Sequence, residues 1–322
     1  MKKIAMICDT SGKDDEGMKK VSRNLAKKIN DIRGFEVDTI NTKECLKNFY
    51  RYDILHFIGG PTIRTIMVAF LCKIFKWNIK TILTFTNPFL SNLSIRLLTL
   101  LKPSMCLVSS YYWLNILKRM NVRVNMFNIS GVDTRKFCKV TEDKKNELRL
   151  KWNIPLNKLV ALHVGHLKKD RNISSLTNLQ KDSEIQLLVV GSTTTIRSNE
   201  EVQSLEETGS IIINDYIASI EEIYQLSDCY IFPTIDEKAA IQVPLSVLEA
   251  SSCGIPVVST EFGGLKDIFS NENSLIKFIK EEDLNYLNII MKDHLRYFDT
   301  NNIQNNNLDW DYISKDLIKF YD

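Results

Sequence analysis

The chain has 322 residues, 44% of them hydrophobic and 25% charged, a composition that is typical of a folded globular protein and excludes a disordered one. Twelve glycines, seven prolines and the lack of a repeat of fixed period exclude collagen-like, low-complexity and solenoid structures. At this length a single hydrophobic core seldom suffices, so we expect two domains.

The net charge of +3 conceals two halves of opposite sign. Residues 1–140 contain 24 Lys and Arg against 10 Asp and Glu, whereas residues 141–322 contain 18 against 29. A strongly basic half favours an anionic partner, such as a membrane surface, a phosphorylated acceptor or nucleic acid. The alternative is a solvated, lysine-rich surface without a partner.

The sequence does not indicate export or a metal centre. The seven scattered cysteines form no C-x-x-C pair and are typical of buried, reduced thiols. Only His163 and His166 approach metal-ligand spacing, and a strand would point them to opposite faces. No signal-peptide pattern is found, and no apolar run reaches the ~20 residues that span a bilayer. We therefore expect a cytoplasmic protein.

Short β-branched runs alternate with helical patterns through the first 131 residues. The alternation predicts parallel strands whose two faces are covered by helices. The first helix is expected to pack through the apolar stripe Met18, Val21, Leu25 and Ile29 and to turn its lysines away from the core. The strand-like runs are KKIAMICD, FEVDTIN, DILHFIGG, KTILTFT, MCLVSS and VNMFNISG.

The pattern lapses over residues 138–157, a charged stretch without core periodicity at its start, and we place the linker there. Strand and helix alternation then resumes and predicts a second doubly wound domain. The chain ends in an amphipathic helix. We predict an α/β protein with an N-terminal domain at 1–140, a C-terminal domain at 141–307 and a terminal helix at 308–322. Such domains bind ligands in the cleft between them.

Residues 243–264, VPLSVLEASSCGIPVVSTEFGG, predict a helix that begins near Pro244 and ends at Gly254, followed by a buried strand. Unpaired N–H groups around Leu245, Ser246 and Val247 and the helix dipole suit a phosphate. Glu249 lies about 7.5 Å further along the axis, at ~1.5 Å per residue, where it can accept the two ribose hydroxyls of a nucleotide. The alternative is an ordinary surface glutamate.

Residues 163–173, HVGHLKKDRNI, predict a strand that ends at Gly165 and is followed by a cationic loop. Fixed cations in a cleft stabilise a leaving diphosphate as its negative charge develops. The alternative is a set of solvated loop charges. The cations are His166, Lys168, Lys169 and Arg171.

Together with NISGVDTRKF at residues 128–137, these segments resemble glycosyltransferase family 4, the retaining GT-B nucleotide-sugar transferases. Its V-G-R-L pattern, with a later Lys, is matched by Val164, Gly165 and Leu167, with His166 in place of Arg and Arg171 in place of Lys. The other matching residues are Gly131, Val132, Asp133, Phe137, Leu248, Glu249, Ala250, Gly254, Pro256, Val257, Val258, Gly263, Gly264 and the terminal Trp310.

The resemblance implies a GT-B fold with two Rossmann-like domains, and transfer of a sugar from a nucleotide-diphosphate donor with retention and without a metal or other cofactor. The second domain would bind the donor, the first would bind a glycan or lipid-linked acceptor, and the terminal helix would return to the first domain. Ser11, Gly12 and Gly17 would approach the diphosphate from the first domain. The implied donor-binding residues are Gly12, Gly165, Val243, Pro244, Leu245, Ser246 and Glu249; the catalytic candidates are His56, His166, Arg171 and Glu237.

Two positions depart from the family pattern. Ile241 occupies the place of the first of two glutamates, so Asp236 or Glu237 would have to supply the carboxylate that contacts the sugar. The histidine after the fourth strand is missing. His56 is the one histidine in the first domain, and we expect it at the end of its strand on the cleft side, in either a catalytic or a structural role.

Several other functions are compatible with parts of the sequence. Asp309 and Asp311 form an Asp-x-Asp motif, but we expect it to cap the terminal helix rather than to bind a metal. The first strand lacks the G-x-G-x-x-G of a dinucleotide-dependent dehydrogenase. A catalytically weak binding partner of another transferase, and an epimerase or hydrolase of the same fold, remain open.

The apolar helical segments TIRTIMVAFLCKIFKW and FLSNLSIRLLTLLK lie in the basic first half. They are expected either to cover the sheet or to bring the protein to anionic lipid at the inner face of the membrane. Nucleic acid is not expected as a partner. The flanking cations are Arg64, Lys73, Lys76, Arg96 and Lys102.

Overall fold

The fold is described from a computed structural model, over residues 1–8, 17–192, 198–269, 275–298 and 308–322. The first half contains a sheet of six parallel strands in the order β2-β1-β3-β4-β5-β6. The strand order reverses between β1 and β3, where open α/β sheets leave a crevice. The strands are β1 Lys2–Ile7, β2 Phe35–Ile40, β3 Ile54–Gly60, β4 Lys80–Phe85, β5 Met105–Val108 and β6 Val124–Met126.

Helices cover both faces of this first sheet, as the apolar character of its strands predicts. The helices that follow β2, β3, β4 and β5 pack on one face, and the first helix packs on the other. They are α1 Gly17–Asn30, α2 Thr42–Asn48, α3 Ile63–Phe75, α4 Asn92–Leu101 and α5 Tyr111–Arg119. The predicted alternation of strands and helices is confirmed.

The second half contains another six-stranded parallel sheet, in the order β12-β11-β10-β7-β8-β9. Here the strand order reverses between β7 and β10. The strands are β7 Leu159–Gly165, β8 Ile185–Gly191, β9 Ile211–Ile213, β10 Cys229–Phe232, β11 Val257–Thr260 and β12 Ile276–Ile279. The helices are α6 Glu142–Lys151, α7 Asn199–Glu207, α8 Ile220–Gln225, α9 Leu245–Ser252, α10 Leu265–Ile268 and α11 Leu287–Tyr297, with 3-10 segments at Lys169–Arg171, Ile173–Lys181 and Glu281–Tyr286.

The stretch placed as a linker contains helix α6, which the sequence prediction missed. Thr141 caps the helix by accepting a hydrogen bond from the Lys144 N–H. Its buried residues are Leu148 and Arg149, and the arginine lies within 2.6 Å of an Asp228 oxygen. Because an ion-paired arginine supplies half of the buried face, hydrophobic periodicity cannot reveal this helix.

The chain ends in helix α12, Trp310–Leu317, which packs against α1. Two backbone hydrogen bonds fix its start, from Val132 N–H to Leu308 O and from Trp310 N–H to Val132 O. A Cβ atom on Gly131 would lie 2.7 Å from the Trp310 ring, so only glycine fits under the indole. The terminal helix is therefore part of the first domain's outer layer.

The prediction that the α1 lysines face away from the core is wrong for one of them. Lys19 is buried, and Lys20 forms an ion pair with a residue of the second half. The physical reason is that α1 is covered by α12 and by the second domain, so solvent reaches only part of its polar face. Among the described residues, no helix is long and apolar enough to cross a bilayer.

Candidate functional site

The arginine predicted as a phosphate ligand lies at the carboxyl end of β7. Arg171 ends a 3-10 helix and is half-buried. A Cβ atom on Gly165 would lie 3.8 Å from the Arg171 Nη1 atom, so the guanidinium lies beside the end of the strand. Within the described ranges no group accepts a hydrogen bond from the guanidinium. Burial lowers the pKa of Arg171, and a partly desolvated cation of this kind favours an anionic ligand.

A buried histidine lies on the same strand end. The Nδ1–H of His163 donates to the Ile231 carbonyl at 3.0 Å, and its Nε2 atom is buried without a partner in the described residues. Burial lowers the pKa of His163 to about 4, so the ring is neutral at physiological pH and Nε2 is a hydrogen-bond acceptor. The same Nε2 atom would lie 3.3 Å from a Cβ atom on Gly165.

Tyr230 on β10 joins the two predicted site segments. Its hydroxyl donates to the Val164 carbonyl at 3.2 Å and is also hydrogen bonded to the Ser246 side chain at the start of α9. Arg171 and Glu249 both interact electrostatically with it. Neighbouring strands β7 and β10 bring the loop after Gly165 and the start of α9 to one edge of the sheet, as parallel topology requires.

Helix α9 begins as predicted, with Pro244 at the N-cap position and Leu245 as the first helical residue. In the part of the chain that the structure describes, the N–H groups of Leu245 and Ser246 have no hydrogen-bond acceptor. The prediction for Val247 is wrong, because its N–H donates to the Pro244 carbonyl at 3.2 Å. Val243 is buried and offers the site its backbone only. Two free amides at a helix start suit a phosphate oxygen.

Glu249 is placed differently from the free carboxylate that the sequence predicts. The residue is only 6% exposed, and each carboxylate oxygen already has a donor. Lys20 Nζ lies 2.5 Å from Oε1, and the Tyr224 hydroxyl lies 2.9 Å from Oε2. Burial raises the pKa of Tyr224, and the negative charge of Glu249 raises it further, so the phenol keeps its proton and stays a donor. A ribose could reach this carboxylate only by sharing or displacing the Lys20 ammonium.

The two domains touch on either side of this region. The Gln242 N–H donates to the Thr86 carbonyl at 2.6 Å, and its Nε2 atom donates to the Asn87 carbonyl at 3.2 Å. A Cβ atom on Gly264 would lie 2.2 Å from the Ser109 carbonyl oxygen, so the backbones meet without space for a side chain. The loop between β10 and α9 therefore lies against the strand ends of the first domain.

Several predicted residues lie outside this cluster. Ser11 and Gly12 lie outside the described residues. Gly17 begins α1, and a Cβ atom there would lie 3.6 Å from Ile241 Cδ1, so it faces the second domain. Glu237 is exposed in the loop before α9, and none of its described contacts joins it to Arg171.

The prediction that His56 lies at the end of its strand on the cleft side is wrong. His56 is in the first half of β3 and fully buried. Its Nδ1 and Nε2 atoms lie 2.8 Å from the Tyr321 hydroxyl and 2.7 Å from the Thr84 hydroxyl. Burial lowers the pKa of His56 to about 3. The ring therefore ties the end of the chain to the first sheet, in the structural role left open by the sequence.

His166 lies next to the cluster, half-buried directly after β7. Its carbonyl accepts a hydrogen bond from the Lys168 N–H at 3.0 Å, which starts the turn into the 3-10 helix that carries Arg171. The adjacent Lys169 is exposed. The loop thus keeps Arg171 at the strand end and turns Lys169 to solvent.

Three residues of the cluster escaped the sequence prediction. Tyr230 sits inside an apolar strand segment, where it is indistinguishable from a core residue, and His163 lies in a similar segment of β7. Lys20 belongs to a helix rich in lysine. A signal was present only for His163, a polar side chain one residue before the V-G pair.

No metal centre is found in the described ranges, where His, Cys, Asp and Glu nowhere gather in groups of three or more that could hold an ion. Asp309 caps α12 as expected, and its carboxylate accepts from the Asp311 N–H at 2.7 Å and the Thr134 hydroxyl at 2.8 Å. The Asp309 carboxylate thus accepts structural hydrogen bonds, and the Asp311 carboxylate lies 2.7 Å from Lys28 Nζ.

Comparison with solved structures defines the class of fold. Sucrose-phosphate synthase from Thermosynechococcus elongatus is 16% identical and matches with a TM-score of 0.79 over 100% of this chain and 98% of its own. Anabaena HepE in complex with UDP is 14% identical, with a TM-score of 0.77 over 100% and 99% of the two chains. The protein therefore has the GT-B fold, built from two Rossmann-like domains, as predicted.

A family model and curated relatives match parts of the chain. Residues 144–301 match the family described as Glycosyl transferases group 1, so the second half carries a domain of that kind. A GDP-mannose-dependent alpha-mannosyltransferase from Mycobacterium tuberculosis (strain CDC 1551 / Oshkosh) is 27% identical over 141 residues, 44% of this chain and 34% of that protein. The chain spans about a third of the length of the curated relatives it matches.

Proposed function

We propose that the protein is a retaining, metal-independent glycosyltransferase of family 4 that moves a sugar from a nucleotide-diphosphate donor to a glycan or lipid-linked acceptor. The observation that carries this proposal is the Arg171 guanidinium, which has no partner in the described residues and is joined through Tyr230 to the free amides at the start of α9. Both features favour the same ligand, a diphosphate.

The class of donor follows from the same geometry and is supported by the comparisons. Two anion-binding groups at one edge of the sheet suit two linked phosphates, and Glu249 lies further along α9 where a ribose would follow. HepE binds UDP, and the mycobacterial relative is named for GDP-mannose. We therefore propose a nucleoside diphosphate sugar, held by the second domain.

In the proposed reaction the bond between the anomeric carbon and the diphosphate oxygen breaks, the acceptor's hydroxyl oxygen bonds to that carbon with retention, and the hydroxyl proton passes to the leaving diphosphate. Arg171 and the amides of Leu245 and Ser246 would stabilise the negative charge that develops on the leaving diphosphate. His166 is a further candidate for this contact. Glu237 is the proposed carboxylate toward the sugar, in place of Ile241.

Donor binding is tested by thermal shift with UDP- and GDP-linked sugars. A ligand at 100 times its dissociation constant adds about 2.7 kcal/mol to the free energy of unfolding, which is readily measured. We expect the shift to fall steeply in Arg171→Ala and Glu249→Ala, and to persist in the exposed control Lys277→Ala. The full proposal would be supported if the wild-type chain transfers the sugar to an acceptor and Arg171→Ala, still folded, does not. It would be refuted if the wild-type chain binds no nucleotide sugar.

A second candidate is a catalytically weak GT-B protein that binds a nucleotide sugar as the partner of another transferase. It is favoured by Ile241 in place of a carboxylate and by the two donors that already occupy Glu249. Donor binding without any transfer or hydrolysis would favour this candidate, whereas robust turnover by the isolated chain would exclude it.

We further propose that the reaction takes place on the cytoplasmic side of a membrane, with the acceptor reaching the basic first domain. The charge division between residues 1–140 and 141–322 supports this placement. Transfer to a lipid-linked acceptor presented in vesicles, compared with a soluble analogue, tests it.

A further inference from the structure

Helices α3 and α4 form an outer layer of the first domain that nothing in the described structure covers. Both pack on the sheet face opposite α1 and α12, through buried residues such as Ile66, Cys72 and Leu98. The two helices also contact each other. Their other sides, with the turn that follows α3, face solvent.

This solvent-facing side is apolar to a degree that a water-exposed helix pair rarely shows. Trp77 is 84% exposed, Phe75 is 77% exposed and Leu100 is 76% exposed. Isolated exposed apolar residues are common, but a contiguous patch marks an interaction site. The α3–α4 surface is defined by the exposed residues Ile63, Met67, Leu71, Ile74, Phe75, Trp77, Leu93 and Leu100.

The charged residues on α3, on α4 and in the segments that follow them are all basic. Between residues 54 and 132 the sequence contains no Asp or Glu and nine Lys and Arg. Arg64 on α3, Arg96 on α4 and Lys102 just after α4 are exposed. An apolar face among cations, without a carboxylate on its own elements, is complementary to an anionic lipid surface.

A groove of about 280 Å³ lies between the ends of the two helices. Phe70, Ile74 and Leu100 line it with apolar side chains, and Lys73 and Lys102 line it as well. The Lys73 ammonium donates to the Lys102 carbonyl at 3.3 Å, which joins the ends of the two helices beside the groove. Such a groove fits the boundary between a phosphate headgroup and its acyl chain.

We propose that the α3–α4 surface docks the protein on an anionic bilayer as a peripheral membrane protein. Trp77, Phe75 and Leu100 enter the boundary between headgroups and acyl chains, and the surrounding cations contact lipid phosphates. Helices α3 and α4 begin at the carboxyl ends of β3 and β4, the edge where the two domains meet. Both helices end at the opposite edge of the sheet, so Phe75, Trp77 and Leu100 lie at the helix ends away from the cleft.

This inference rests on the proposed function only in giving the docking a purpose, namely access to a lipid-linked acceptor. The docking itself follows from the exposed apolar residues and the charges, and it would hold for any activity of the cleft. The occupant is a bilayer rather than a second copy of this chain, because two copies of this face would bring like charges together.

The test is sedimentation of the full chain with vesicles made of equal parts phosphatidylglycerol and phosphatidylcholine, and with vesicles of pure phosphatidylcholine. We expect at least about tenfold tighter binding to the anionic vesicles, weakened by added salt. The double variant Trp77→Ser, Leu100→Ser should bind at least about tenfold more weakly. The matched control Tyr286→Ser, Ile289→Ser, in the second domain, should bind like the wild type.

The role of charge is tested separately with the double variant Lys73→Gln, Lys102→Gln, which should bind anionic vesicles about tenfold or more weakly than the wild type. The control double variant Lys277→Gln, Lys315→Gln should bind them like the wild type. Equal binding to both vesicle types, no binding, or equal losses in test and control variants would overturn the proposal. So would a wild-type dimer that the Trp77 variant abolishes without any vesicle binding.

Donor binding is measured on the same variants and should be unchanged, which also shows that they are folded. If the wild type binds anionic vesicles through this surface but binds no nucleotide sugar, the docking surface stands and the proposed function fails. If the wild type binds a nucleotide sugar but no vesicles, the donor-binding proposal stands and the docking surface is refuted.

Discussion

His163 and Arg171 show how burial assigns different roles to two basic side chains at one strand end. The histidine is fully buried and its pKa of about 4 keeps it neutral, so it adds no second positive charge. The arginine is always charged, and loss of solvent leaves it in need of an anion. A neutral acceptor beside a lone cation orients a ligand without repelling that cation.

The two buried histidines predict how stability depends on pH. Their pKa values are about 3 for His56 and about 4 for His163, against about 6.5 in the unfolded chain, so below pH 6.5 the unfolded state takes up protons that the folded state does not. The two histidines therefore do not change the free energy of unfolding above about pH 6.5, and they lower it as the pH falls below that value. At pH 5 the expected loss is about 2 kcal/mol per histidine, measured by urea unfolding at pH 7 and pH 5.

The variant His163→Phe measures how much of the pH dependence of the free energy of unfolding comes from His163. Its free energy of unfolding should fall by about 2 kcal/mol less than that of the wild type between the two pH values. A loss identical to that of the wild type would show that His163 is accessible to protons in the folded state.

The sequence could predict the position of Arg171 after the strand but not its surroundings. Its spacing from Gly165 on a strand-end loop gives the position of a fixed cation. The contact of Tyr230 with Val164 joins residues 66 positions apart. That contact depends on β10 pairing with β7, and sequence patterns reveal strands without revealing their order.

At the scale of elements, the terminal helix depends on one glycine. A Cβ atom on Gly131 would lie 2.7 Å from Trp310 Cε3 and 2.9 Å from Cδ2. Gly131→Ala should therefore displace the helix and cost about 1–3 kcal/mol, measured by urea unfolding. The control Gly17→Ala, whose Cβ atom would lie 3.6 Å from Ile241, should change stability far less.

A double-mutant cycle tests whether contact with the Trp310 indole causes the destabilisation by Gly131→Ala. In the Trp310→Ala background the indole is gone, so the additional cost of Gly131→Ala should shrink toward zero. If the two costs simply add, a contact other than Trp310 limits this position.

Elements were predictable where burial follows hydrophobicity and unpredictable where it does not. The strands of both sheets and the start of α9 follow from apolar runs and a proline. Helix α6 was missed because a charged residue, Arg149, fills a core position by pairing with Asp228. Lys19 was misplaced on α1 because its environment is set by elements distant in sequence.

At the scale of the whole molecule, the ion pair of Lys20 with Glu249 links the two domains at the candidate site. If Glu249 binds the donor ribose, Lys20 competes with that ribose for the carboxylate. Lys20→Met should then tighten binding of the nucleotide sugar by about fivefold, the equivalent of a half-exposed ion pair of about 1 kcal/mol. Isothermal titration calorimetry measures this change.

The opposite result is equally informative. Weaker binding in Lys20→Met, to the extent seen in Glu249→Ala, would place the ammonium in the donor site itself. No sequence pattern could reveal this pair, because its partners are 229 residues apart and meet only through the arrangement of the domains.

In the proposed donor site, Arg171 and the start of α9 hold a diphosphate. Calorimetry on the wild type and on Arg171→Ala tests this contact. Each protein is titrated with a nucleoside diphosphate and with the corresponding nucleoside, for the base preferred in the thermal-shift screen. Loss of charge-assisted hydrogen bonds should weaken diphosphate binding by about 10- to 100-fold and leave nucleoside binding within about twofold of the wild type. Unchanged diphosphate affinity, or an equal loss for both ligands, would contradict the account.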